Sequence, residues 1–159
     1  MKFNTTLLTL IFVLNFVQSY SQNSDETKLT TGWYFESDNN DGIPRKMFKS
    51  EETVFLKPEP IVKAKDFEKL DLYESRDGFV GLSIQFYEGK ATENWINATE
   101  RAYAADIRLA LIINNELIYA PRVASPVYAG ISAINREDLT KEDLMSFKNK
   151  LEREKSGNN

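Results

Sequence analysis

The pattern of apolar and polar positions is clearest between Arg108 and Asn135. Five apolar residues, Leu109-Ala110-Leu111-Ile112-Ile113, run into Asn114-Asn115, and a second run, Leu117-Ile118-Tyr119-Ala120, stops at Pro121. Two such runs parted by two asparagines predict a tight β-hairpin, because both central residues of the turn need φ > 0 and asparagine tolerates it. A third strand is expected over residues 130–134, folding back on the hairpin as a three-stranded unit. Upstream, Val80, Leu82, Ile84 and Phe86 share one face of a strand and Ser83 and Gln85 the other. Leu70 and Leu72 mark its partner, joined through Ser75-Arg76-Asp77-Gly78, where Asp-Gly is a hairpin signal.

Two segments change to the helical period. Over residues 92–104, Trp95, Thr99, Ala102 and Tyr103 form a narrow core-facing stripe with Ile96 beside it. A last helix begins at a cap on Asp138 or Thr140 and buries Leu144, Phe147 and Leu151. Before residue 60 the signals are shorter. Trp33-Tyr34-Phe35 reads as an aromatic strand, with weaker strands over residues 46–48 and 53–56. Lys57-Pro58-Glu59-Pro60 is expected to close this part, since neither proline can donate to a ladder. Residues 61–67 have room for one helical turn. The elements sum to an α+β fold: a mostly antiparallel sheet of about five strands, two helices on one face, and an N-terminal aromatic β segment.

The first 21 residues have another pattern. Lys2 precedes a mostly apolar stretch over residues 7–17, and Ser19-Tyr20-Ser21 offers small residues for cleavage, so residues 1–21 read as a secretory signal peptide. The stretch is too short for a stable bilayer span. The expected division is then 22–59 for the N-terminal β segment, 60–155 for an α+β domain and 156–159 for a frayed tail. The chain is expected in the periplasm or outside the cell, without a transmembrane span after cleavage.

Composition removes several chemistries. The 159 residues include no cysteine and no histidine. Disulfides, thiol catalysis and a lipid-modified N-terminal cysteine are excluded, as are histidine triads and most catalytic zinc sites. A formal net charge of −4 without a basic cluster argues against nucleic acid as a partner. No catalytic, metal or cofactor residues are assigned.

The order of these elements resembles the head of the first periplasmic domain of SecD, the accessory subunit of the bacterial protein-export machinery. The residues carrying the resemblance lie in 60–155: an extended piece with a short turn (60–67), a strand ending at Glu88-Gly89, and a helix with Trp95 and Thr99. The hairpin ending in Ala120-Pro121, a Gly130-started strand and a closing helix (138–151) complete it. Where the family carries glycine with a basic residue between helix and hairpin, this chain has Ala104-Ala105-Asp106-Ile107. The resemblance implies a binding or interaction module acting on unfolded, exported or envelope proteins. Proton-coupled transport, which belongs to SecD's membrane part, does not carry over.

The candidate partner-binding residues are Tyr119, Pro121, Arg122 and Tyr128, around the end of the hairpin and the loop after it. Two tyrosines and an arginine can grip an extended polypeptide by stacking and backbone hydrogen bonds. The alternative places Tyr119 in the core and Arg122 on a solvated edge. Trp33-Tyr34-Phe35 has two readings, an exposed aromatic platform or an edge strand with one residue buried. Asp38-Asn39-Asn40-Asp41-Gly42 lacks the spaced ligands of a calcium loop and reads as a turn. Glu51, Glu52, Asp66, Glu68, Asp138 and Glu142 lack the apolar surround that acid/base work near neutrality requires. The leading expectation is a non-enzymatic interaction domain. The rivals are a carboxylate-dependent envelope hydrolase and a structural subunit of a membrane complex.

Overall fold

The computed structural model describes residues 27–37, 41–76 and 78–157; the signal peptide expected at residues 1–21 lies outside them. In chain order the strands are β1 (Gly32–Glu36), β2 (Ile43–Lys46), β3 (Thr53–Lys63), β4 (Phe67–Glu74) and β5 (Val80–Phe86), then β6 (Leu109–Ile113), β7 (Glu116–Tyr119) and β8 (Ile131–Ile134). A 3₁₀ turn, Ala64–Asp66, joins β3 to β4. The helices are α1 (Lys90–Ala105) and α2 (Lys141–Lys155). The fold is α+β, as expected. Its strands form a five-stranded sheet of order β2-β3-β1-β6-β7 and a separate three-stranded sheet of order β4-β5-β8.

The hairpin forms as its sequence predicts. Asn114 and Asn115 take φ of 51° and 67°, and β6 pairs antiparallel with β7. All five residues of β6 are buried, which explains an unbroken apolar run in place of alternation. Leu109, Leu111 and Ile113 face a large core shared with β4, β5 and both helices. Ala110 and Ile112 face a smaller one with Tyr34, Leu56 and Leu117, closed by Leu29 and Met47.

A short strap, residues 27–31, covers this second core. Asn115 Oδ1 accepts the Leu29 N–H at 2.8 Å and Arg45 Nη2–H at 2.8 Å, and Thr31 Oγ1 accepts the Asn114 N–H at 2.9 Å. Arg45, only 4% exposed, also donates to the Thr27 carbonyl. The two turn asparagines therefore hold the strap as well as the hairpin.

Several expectations are corrected. The strand near residue 130 does not join the hairpin; β8 pairs with β5, Leu82 opposite Ile134 and Gln85 opposite Ile131. The place beside β6 is taken by β1, an inner strand between β3 and β6. Trp33 and Tyr34 are each 1% exposed on opposite faces of β1, so the exposed-platform reading fails. The prolines do not end the third strand. β3 passes through Pro58 and Pro60 to Lys63, crossing residue 60, because its register against β1 shifts on both sides of the Tyr34–Pro60 pair. Its other neighbour, β2, pairs only as far as Leu56, so that stretch is an edge where a missing N–H costs no ladder bond. The helical turn expected over 61–67 shrinks to the 3₁₀ turn, with Asp66 Oδ2 accepting the Lys63 N–H at 2.8 Å.

The α1 stripe is Trp95, Ala98, Thr99 and Ala102, at i, i+3, i+4 and i+7; Tyr103, assigned to it from sequence, is 52% exposed. The helix ends on Asp106 in the left-handed conformation, at φ 52°, a position that favours glycine. Helix α2 is capped by Thr140, whose Oγ1 accepts the Asp143 N–H, and Asp143 returns the bond to the Thr140 N–H at 2.8 Å. Leu144, Phe147 and Leu151 enter the large core, where Phe147 meets Phe48 edge-on at 5.3 Å. No helix among the described residues is long and apolar enough to cross a membrane.

Candidate functional site

Splitting the strands into two sheets leaves a gap between one face of the larger sheet, at Trp33, Leu109 and Tyr119, and β8, the last strand of the smaller one. Between them opens a cleft of about 640 Å³. Trp33 from β1, Leu109 from β6 and Tyr119 from β7 form one side. Ile131, Ser132 and Ala133 of β8 form the other. Trp95 and Thr99 of α1 and the loop after the hairpin, including Val123 and Val127, complete the wall.

An aromatic cluster fixes this wall. Trp33 and Trp95 lie 5.0 Å apart between ring centroids at 54°, and Trp33 meets Tyr119 at 6.4 Å and 73°, near edge-to-face. Trp95 packs on Phe86 at 5.1 Å and its indole N–H donates to the Ile131 carbonyl at 2.9 Å, tying α1 to β8. Thr99, 1% exposed, accepts the Val127 N–H at 3.0 Å and donates to the Ile96 carbonyl at 2.9 Å, fastening the loop to the helix. The Asn97-Ala98-Thr99 sequon is thus helical, with its threonine buried. On the outer rim, Tyr119 O–H donates to Asn135 Oδ1.

Burial pushes the Tyr119 phenol above its ordinary value; the nearby Tyr73 adds to this and Arg136 opposes it. Burial raises Tyr73 as well. Both rings are neutral hydrogen-bonding groups near neutral pH. Among the described residues Arg122 is the one charged side chain on the wall, and its Nη1 pairs with Asp106 Oδ1 at 3.0 Å. Two buried polar atoms on the wall's residues, Trp33 Nε1 and Ser132 Oγ, have no hydrogen-bond partner among the described residues.

Three of the four residues singled out from sequence, Tyr119, Pro121 and Arg122, meet at this cleft; Tyr128 lies off its wall and is 73% exposed. Tyr119 packs its ring on Trp33 while its hydroxyl reaches the rim, and Arg122 is half-exposed and paired with Asp106. Sequence reasoning missed Trp33, Trp95, Thr99 and the β8 residues as a site. The two tryptophans were the available signal, but their meeting depends on which sheet each strand joins.

The carboxylates weighed for acid/base work lie elsewhere. Glu51 pairs with Lys46 at 2.7 Å on the surface, Glu52 with Arg108 and Asp138 with Arg136, and Asp66 closes the 3₁₀ turn. None of the six lines the cleft. No group of acidic residues among the described residues is arranged to hold a metal ion. The Asp38–Asn40 part of the turn read against a calcium loop lies outside the described residues.

Protein-family models and curated proteins give no match to the sequence. Two solved structures are similar in fold. SecDF in its super-membrane-facing form superposes with a TM-score of 0.55 and 13% identity, covering 74% of this chain and 18% of that one. A second SecDF structure, of a membrane component that enhances protein export, gives 0.59 and 14%, covering 84% of this chain and 66% of that one. The chain is an α+β domain of two antiparallel sheets, and its fold is SecD-like. It spans 18% and 66% of the SecDF chains it matches.

Proposed function

We propose that this protein is a non-enzymatic interaction domain, exported through a signal peptide at residues 1–21, that holds segments of exported or envelope proteins in the cleft between its sheets. The observation carrying this reading is the cleft: concave, aromatic-walled, free of carboxylates among the described residues and large enough for a few side chains. The likeness to a component that enhances protein export favours polypeptide as the occupant, by analogy of fold. Tyr119, Pro121 and Arg122 contribute the rim, and Tyr128 extends the contact beyond it.

The test is photocrosslinking to a permanently unfolded, cysteine-alkylated test protein. A crosslinking residue at Val123, on the cleft, should label it strongly, and one at Met145, exposed on α2, only weakly. Equal labelling from both positions, or none from Val123, overturns the reading.

A further inference from the structure

We propose that the cleft takes its occupant as an added β-strand on the free edge of β8, and that this occupant is an extended, uncharged polypeptide segment. The proposal rests on the polypeptide-binding reading above and adds the mode of recognition.

The Phe86 N–H donates to the Gly130 carbonyl at 2.8 Å, so residues 130, 132 and 134 turn their backbone groups toward β5. The backbone groups of Ile131 and Ala133 therefore point the other way. That free edge looks into the cleft. Ser132 on one face of β8 and Ile131 and Ala133 on the other all line it, which requires the cavity to run along the strand's edge. Trp95, also on the wall, already hydrogen-bonds the Ile131 carbonyl from that side. Among the described residues nothing bonds the Ala133 N–H or carbonyl, the donor–acceptor pair an added strand uses.

The outward backbone groups of β8 distinguish a peptide from a hydrocarbon. An acyl chain lying along the edge would cover the Ala133 N–H and carbonyl and leave them unpaired, whereas a peptide's carbonyls and amides can satisfy them. Charge narrows the class further. Among the described residues Arg122 is the charged one on the wall, it is already paired with Asp106, and no carboxylate lines the cleft, so a charged side chain of either sign on the segment would find no free counter-charge. β8 has four residues, about 13 Å of strand, which suits a segment of four or five residues.

The experiment titrates the full chain with a fluorescent seven-residue peptide of alternating valine and serine, and with two versions N-methylated at alternate residues. The two versions block opposite edges of the peptide strand. Augmentation predicts that one binds about as well as the parent and the other at least about tenfold more weakly, the loss expected for one or two backbone hydrogen bonds. The parent peptide should also slow hydrogen exchange at the Ala133 amide. An Ala133→Pro variant, which removes only an outward N–H, should reproduce the loss with the parent peptide.

If both methylated peptides bind like the parent, or both lose binding alike, strand addition is overturned, while polypeptide binding at the cleft stands on the crosslinking result. Displacement of the parent by decanoate without any methylation effect identifies an acyl-chain pocket and also overturns it. Failure of the parent peptide to bind overturns this proposal, and overturns the polypeptide reading as well if the crosslink at Val123 is absent.

Discussion

Asn115 is where turn geometry, the strap and the second core meet, and its replacement separates their contributions. In Asn115→Gly the left-handed φ of 67° stays comfortable, but Oδ1 is lost with its bonds to the Leu29 amide and to Arg45. A neutral amide bond contributes about 1 kcal/mol and one from a guanidinium about 1.5–3 kcal/mol, so a loss of about 3 kcal/mol is expected. Asn115→Ala loses the same bonds and adds the left-handed penalty of a Cβ, about 1–2 kcal/mol. The control is Asn114→Gly, where φ is 51° and no side-chain bond is lost; it should change stability by less than about 0.5 kcal/mol. Urea unfolding measures all three. With a slope near 2 kcal/mol per molar, Asn115→Gly should lower the midpoint by about 1.5 M. Hydrogen exchange at the Leu29 amide should quicken in the Asn115 variants. A loss under about 1 kcal/mol in Asn115→Gly refutes the anchoring argument, and equal losses in the glycine and alanine variants refute the strain argument.

Three further outcomes follow from the same structure. Phe147→Ala removes a side chain 2% exposed between α2 and Phe48, and should cost about 3–5 kcal/mol by thermal or urea unfolding. The hydrogen bond from Lys49, then the Thr140 amide, hold Asp143 below the usual carboxylate range. A depressed folded-state pKa means stability that is present above the unfolded value, about 3.9, and is lost as pH falls through the folded one. Asp143→Asn should therefore be less stable than the parent at pH 6, with the gap narrowing as pH falls below about 4; a gap independent of pH rejects the assignment. Gly81 lies beneath the Tyr73 ring, where an added Cβ would come within 2.3 Å of Cζ. Tyr73 lines the cleft, so Gly81→Ala should swing its ring and change peptide affinity severalfold at a stability cost of about 1 kcal/mol, read by fluorescence titration and urea unfolding.

Those features that depend on neighbours in the chain were legible from the residues. The Asn-Asn turn, the Asp-Gly hairpin between β4 and β5, the Thr140 cap and the Leu144-Phe147-Leu151 stripe rest on local dihedral preference and on period. Both survive in any tertiary setting that buries one face. The order of elements was likewise enough to indicate a SecD-like fold. Part of the cleft's lining was readable for the same reason, since Tyr119, Pro121 and Arg122 are close together in sequence.

Strand partnership was decided only in three dimensions. A run such as Ile131–Ile134 carries its own period but no mark of which edge it will pair with, so its place beside β5 emerges only when the cores are packed. The passage of β3 through two prolines depends on a register shift and a vacant neighbour, neither written in the prolines themselves. The cleft follows from these choices. Hydrophobic periodicity records which side of a strand is buried, whereas a gap between two sheets exists only once both are assembled around a shared core.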